Sequence, residues 1–145
     1  MLLGHLALAS SAKFAGARAK AVHSGDVDAI VVDLADDVLS YDVVDPLRRE
    51  GKASSRMRAA EWLASYDGPV SWENRDLEVG ADGGVAFARA LSRVTGKLKT
   101  GIAIDMWFRT TLGFRRIGGR WLTCTTTARC RLIRRAARRR SASNS

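Results

Sequence analysis

Asp42 is the side chain best placed for proton chemistry. It falls in a stretch, Val38–Val44, that alternates like a strand, with Val38, Ser40, Asp42 and Val44 on one face. A carboxylate on a buried strand face is desolvated, and desolvation favours the neutral acid, bringing such a group toward the range useful to a general base. The alternative is a solvent-facing Asp near a strand end. Asp105 is the next candidate, because it interrupts an otherwise apolar strand, with Trp107 and Arg109 on its own face. Arg109 is suited to a substrate carboxylate or enolate, with Trp107 as an aromatic wall. The competing reading pairs Asp105 with Arg109, or with an arginine of a neighbouring strand, as a solvated ion pair. Trp62, Tyr66 and Trp72 are expected in the core and pocket wall. Tyr41 is expected to point away from Asp42, toward core or interface.

Other chemistries lack their residues. The two histidines, His5 and His23, fall in the leader and at a helix end, and no Ser-His-Asp arrangement or phosphate-cradling glycine loop is present. Cys124 and Cys130 are the two cysteines, too few for a zinc site and without histidine at ligand spacing. No cofactor and no metal is expected. Two thiols with no further partners point to a reducing compartment, and the expected location is cytoplasmic.

These residues must be held by a single domain of 145 residues, 46% hydrophobic and with only two prolines. Leu2, Leu3, Leu6, Ala7 and Leu8 faintly suggest a signal peptide, but no Lys or Arg precedes them and His5 interrupts the run. Residues 1–15 are therefore a leader or the start of a first amphipathic helix continuing through Phe14, Ala17 and Ala21. Val27, Ile30, Val31 and Leu34 form the apolar stripe of a second helix, stopped by Asp36-Asp37. A strand follows over Val38–Val44, then a third helix from about Ser54 to Tyr66. Beyond Pro69 the period becomes two, giving strands over Trp72–Val79, Val85–Thr95, Ile102–Arg116 and from Trp121 onward. Short glycine-containing connections make these an antiparallel meander. The fold class is α+β, with three helices packed on a strongly curved antiparallel (mixed) sheet around a cone-shaped pocket.

The order of elements and a series of local motifs resemble the nuclear transport factor 2-like superfamily, and within it the SnoaL-like, ketosteroid-isomerase-like proteins. The resemblance rests on Gly25-Asp26-Val27-Asp28, Ala35-Asp36-Asp37-Val38, Gly51-Lys52, Trp62 to Pro69 (WLASYDGP) and Arg75-Asp76-Leu77-Glu78-Val79. It continues through Asp105-Met106-Trp107-Phe108-Arg109, Gly113-Phe114-Arg115-Arg116-Ile117 and Gly119-Arg120-Trp121. It implies a pocket that different members use for isomerisation, cyclisation, epoxide hydrolysis or plain binding, and a homodimer through the outer face of the sheet. It also implies a role for Asp42, which stands at the steroid-isomerase spacing for the catalytic base, five residues after Asp37 and nine before Gly51. The isomerase oxyanion pair is not carried over. Its tyrosine position falls near Arg18 and its acid position near Thr111, which joins the expected pocket wall.

Net charge is +9, and it is unevenly placed. Eleven arginines and no acidic residue follow Asp105, so residues 1–105 carry −2. Residues 1–123 read as the SnoaL-like domain and 124–145 as an Arg-rich, disordered tail with seven of those arginines. Relatives carry a final strand resembling His-x-His-x-Ser-Val-Pro-Phe-Asp-Pro here. Codons for Thr125–Arg134, read one base early, can spell His-Asp-His-Ser-Ser-Val-Pro-Phe-Asp-Pro, so a frameshift is expected to underlie the tail. A tail of this composition is expected to deprive the sheet of most of a central strand. Its arginines would bind nucleic acid without sequence preference, since no aromatics are interleaved with them. The partners expected are thus a small apolar or carbonyl-containing molecule and a second copy of the chain. Nucleic acid is expected only non-specifically through the tail, and no membrane. Two functions remain open: a cofactor-independent isomerase, cyclase or hydrolase with Asp42 as base, or a non-catalytic ligand-binding or dimerisation module.

Overall fold

The computed structural model describes residues 2–43 and 45–130, with side chains from Lys13 onward. Helix α1 (Leu2–Ser24) runs through the leader, and α2 (Val27–Val31) turns off it at once. The corner needs Gly25, whose φ of +72° would strain an L side chain, and Asp26, whose carboxylate accepts from Ala29 N at 3.1 Å as the cap of α2. Strands β1 (Leu34–Tyr41) and β2 (Arg48–Glu50) follow, then α3 (Lys52–Ala64). Four long strands complete the described chain: β3 (Ser71–Asp82), β4 (Val85–Lys97), β5 (Ala103–Ile117) and β6 (Arg120–Arg129).

The six strands form one mixed sheet in the order β2-β1-β6-β5-β4-β3. β1 and β6 pair in parallel and every other neighbouring pair is antiparallel. Irregularities bend it. The β3–β4 register shifts between Arg75 and Glu78, where Asp76 takes a φ of +56°, and the β5–β6 register shifts between Gly113 and Phe114. Extra residues at such points increase local twist and bend the strand, which curves the sheet around the helices.

The concave face holds the core. Ala21 and Val22 of α1, Ile30 and Val31 of α2, Leu34 and Val38 of β1, and Val70, Val94 and Phe108 form one buried cluster with Tyr66. Small residues set how closely the layers approach. A Cβ at Gly96 would stand 2.9 Å from the Tyr66 ring, so glycine there lets the tyrosine lie against β4. A second cluster, Ala86, Ala88 and Phe114, closes the far end, where Phe14 of α1 meets Phe114 edge-to-face at 5.8 Å.

Several boundaries differ from those expected, among them the end of the first strand, at Tyr41 rather than Val44. The second helix ends at Val31, and β1 starts at Leu34 rather than Val38. Tertiary pairing overrides the helical period, because Thr123 N donates to Asp33 O at 2.8 Å and Leu34 pairs with Thr123 in β6. β2 is three polar residues long, too short to show a period. The 123/124 boundary falls inside β6. Thr125–Thr127 pair with Leu39–Tyr41 on one side, and Thr125–Arg129 pair with β5 on the other, so the expected loss of a central strand does not occur. Sheet pairing uses backbone groups that any non-proline residue supplies, and β-branched threonine suits a strand. The expectations for Val44 and for residues 131–145 lie outside the described residues.

Candidate functional site

Between the concave sheet and the helices lies a cavity of about 350 Å³. Its apolar end is an aromatic box. Trp62 of α3 packs edge-to-face on Tyr66, one helical turn on, at 5.4 Å, and on Trp72 of β3 at 6.1 Å. Trp72 in turn meets Phe108 of β5 at 5.3 Å. Burial pushes the Tyr66 phenol up from its ordinary value, opposed in part by the Trp62 side chain, so the hydroxyl stays protonated. A polar chain fixes the box from behind. Trp72 Nε1 donates to Asn74 Oδ1 at 3.2 Å, Ser92 Oγ donates to the same oxygen at 2.7 Å, and Ser92 Oγ lies 2.8 Å from Thr110 Oγ1.

Arg18 of α1 borders the cavity, with its guanidinium 5.1 Å from the centre of the Trp72 ring. Burial pushes it below the ordinary arginine range, yet a guanidinium stays charged at neutral pH. The residue keeps some accessible surface, as befits a side chain bordering an open cavity, while its Nε is buried without a hydrogen-bond partner.

Asp42 sits just past the end of β1 and, with Ser40, borders the cavity. Its Oδ1 accepts from Val43 N at 2.7 Å, and its Oδ2 lies 3.5 Å from Arg58 Nε of α3. Both side chains of that pair are about 29% exposed, which places them at the cavity's mouth. Arg49 of β2 and Ser55 of α3 border the same cavity. Tyr41, expected to point away from Asp42, also borders it and is half-exposed.

The structure thus gathers Asp42, Trp62, Tyr66 and Trp72 around one cavity. Asp105, Trp107, Arg109 and Thr111 do not join them. On β5 the cavity takes Met106, Phe108, Thr110 and Leu112, and strand alternation sends the odd-numbered set to the opposite surface. There Arg93 grips Asp105 with two bonds of 2.8 Å and holds its carboxyl below the ordinary value. The partner of Asp105 is therefore the neighbouring strand's arginine and not Arg109. Sequence reasoning missed Arg18, Arg49, Arg58 and Ser55 as lining residues. A signal existed for Arg18, which lies four residues after Phe14 and three before Ala21, on the apolar stripe of α1. Among the described residues no cluster of three potential metal ligands occurs, and no helix is long and apolar enough to cross a membrane.

The SnoaL-like domain family matches residues 13–124. The chain belongs to that family. Its solved structural relatives carry the same architecture. An NTF2-like protein of unknown function from Pseudomonas putida KT2440 is 26% identical, covering 84% of this chain and 86% of its own, with a TM-score of 0.74. A ketosteroid isomerase-like protein from Erwinia carotovora atroseptica is 20% identical, covering 83% and 93%, with a TM-score of 0.71. An NTF2-like protein with a cystatin-like fold from Novosphingobium aromaticivorans is 16% identical, covering 89% and 84%, with a TM-score of 0.72. No curated protein matches the sequence. The SnoaL-like fold of this chain is thereby shown, and its chemistry rests on the residues around the cavity.

Proposed function

We propose that this SnoaL-like protein binds a small apolar or carbonyl-containing molecule in its cone-shaped cavity and acts on it without a cofactor, as an isomerase, cyclase or hydrolase with Asp42 as general base. One observation carries the reading. Among the described residues lining the cavity, Asp42 is the one carboxylate, set at the mouth of walls that are otherwise mostly aromatic, aliphatic or cationic. A base so placed meets a ligand's edge while its body lies in the aromatic box, with Arg58 Nε 3.5 Å from its Oδ2. The test is deuterium exchange at the carbon α to the carbonyl of small aryl ketones in D2O, followed by NMR. Exchange faster than buffer, falling about a hundredfold or more in Asp42→Asn, is the expected result. Exchange that survives the substitution removes Asp42 as base.

The second reading, a non-catalytic binding module, draws on the same carboxylate. Asp42 is engaged by both Arg58 and the Val43 amide, as a purely structural acid would be. Ligand binding with no exchange in the unmodified protein would select it.

Homodimerisation through the convex face of the sheet belongs to the same proposal. Phe87, Leu91 and Trp107 stand there at 53%, 40% and 39% exposure, an apolar surface of the kind dimers bury. Sedimentation of the protein and of Trp107→Glu reads it: a dimer that dissociates in the variant is expected. A cytoplasmic location fits the two free thiols, Cys124 and Cys130. The frameshift proposed for residues 124–145 is tested by resequencing the gene and weighing the intact native protein. Affinity of the arginine-rich segment for nucleic acid is proposed to be sequence-blind and salt-sensitive, without being the protein's task.

A further inference from the structure

The cavity holds a charge that the protein leaves unanswered. Among the described residues its lining carries three arginines, Arg18, Arg49 and Arg58, against the single carboxylate of Asp42. Asp42 is committed to Arg58. None of the ion pairs among the described residues involves Arg18 or Arg49. Among the described residues four buried side-chain polar atoms lack a hydrogen-bond partner, and three of them, Arg18 Nε, Arg49 Nε and Ser55 Oγ, belong to residues lining this cavity. Three arginines on the opposite face of the sheet, Arg75, Arg89 and Arg93, each hold a glutamate or aspartate.

Unpaired donors enclosed by protein are costly, and a buried charge more so. Water could accept from these N–H groups, but it would leave the two positive charges uncompensated. An anion answers both needs. A guanidinium is a fixed fork of donors that matches the two oxygens of a carboxylate, and that of Arg18 lies over Trp72, 5.1 Å from the ring centre. The aromatic box beside it, Trp62, Tyr66, Trp72 and Phe108, asks for an apolar body on the same molecule. We propose that the cavity binds a small apolar carboxylic acid as its carboxylate, with Arg18 as the anchoring cation. This rests on the pocket reading above and narrows its ligand class. Arg109, the residue whose type first suggested such a role, faces the other side of the sheet, and Arg18 takes that role from within.

The test uses matched pairs that differ only in charge: 1-naphthoate against 1-naphthamide, and phenylacetate against phenylacetamide, titrated calorimetrically into the full chain. The acids are expected to bind about tenfold or more tighter than their amides, and Arg18→Met to bring acid affinity down to the amide level. The same variant is expected to melt no lower than the unmodified protein, because it removes a half-buried cation with no acid partner among the described residues and a buried, unbonded Nε. Equal binding of acids and amides overturns the carboxylate proposal while leaving the pocket reading intact. Binding of none of the four overturns both. A folded Arg18→Met that keeps its preference for acids overturns Arg18 as anchor. If that variant fails to fold, Arg18→Gln, which keeps donors without the charge, takes its place: loss of the acid preference supports the anchor, and an unchanged preference overturns it.

Discussion

The two faces of β5 are built from alternate residues of one strand, and the arginine–tryptophan contacts on them differ in how the charge is met. On the convex face Arg93 holds Asp105 in a two-bond grip, Arg75 pairs with Glu73, and Arg89 pairs with Glu78. Trp107 lies between Arg75 and Arg93, whose guanidinium carbons are 5.0 and 5.6 Å from its ring centre. On the concave face Phe108 and Trp72 form an aromatic wall, and the cation over it, Arg18, has no acid partner among the described residues. Water and salt would screen an unpaired charge on the convex face, where pairing brings little. Inside the cavity an unpaired charge is costly, and there Arg18 and Arg49 have no acid partner among the described residues. The same motif, an arginine over a tryptophan, is thus surface packing on one side of the sheet and part of a cavity wall on the other.

Adjacent substitutions on β5 give the sharpest break. Phe108→Ala should cost about 3 kcal/mol of unfolding free energy, the usual toll for emptying a buried aromatic site, whereas Trp107→Ala should cost under about 1 kcal/mol in the monomer. Chemical denaturation of the two variants decides, and equal losses would erase the distinction between the faces. Next in size is Ser92→Ala. Ser92 is fully buried and links Asn74 to Thr110, so its loss should cost about 2 kcal/mol and loosen the hold on Trp72. Near-UV circular dichroism of the tryptophans reads the loosening, and an unchanged spectrum would detach the polar chain from the aromatic box. The smallest effect belongs to Asp105→Asn. Arg93 keeps the folded Asp105 carboxyl below its ordinary value, so this contribution exists above that value and is lost as pH falls through the lowered one. The variant should therefore lose less stability than the unmodified protein between about pH 5 and about pH 3. A variant that loses as much would make the grip on Asp105 cosmetic.

Much of this arrangement can be read from the chain, and the misses share a cause. The long strands β3, β4 and β5 announce themselves by their period and by the glycine turns between them. Alternation alone does not say which of a strand's two faces is the inner one. On β5 the even set, Ile104, Met106, Phe108, Thr110 and Leu112, is the more apolar, as a core face should be. Searching for reactive residues led instead to the odd set, where charge is found because solvent tolerates it. Asp42, Trp62, Tyr66 and Trp72 reach the cavity because their local spacing and their packing agree. Arg18 was hidden by the opposite conflict, a cation on an apolar helical stripe, where local chemistry and burial disagree. β2 and the early start of β1 depend on partners far along the chain, which no window of neighbouring residues contains.

The placement of β6 carries a consequence for how the protein is made. β6 is the last strand in chain order among the described residues, yet it lies between β1 and β5, and Leu34 meets Thr123 across roughly 90 residues of sequence. While the ribosome is still delivering β5, β1 has β2 on one side and an open edge on the other. The nascent chain must wait with that edge bare until the last described strand emerges and zips the two halves together. Completion of the sheet is therefore a late, long-range event, and the interval before it is when this protein is most open to pairing with the wrong neighbour.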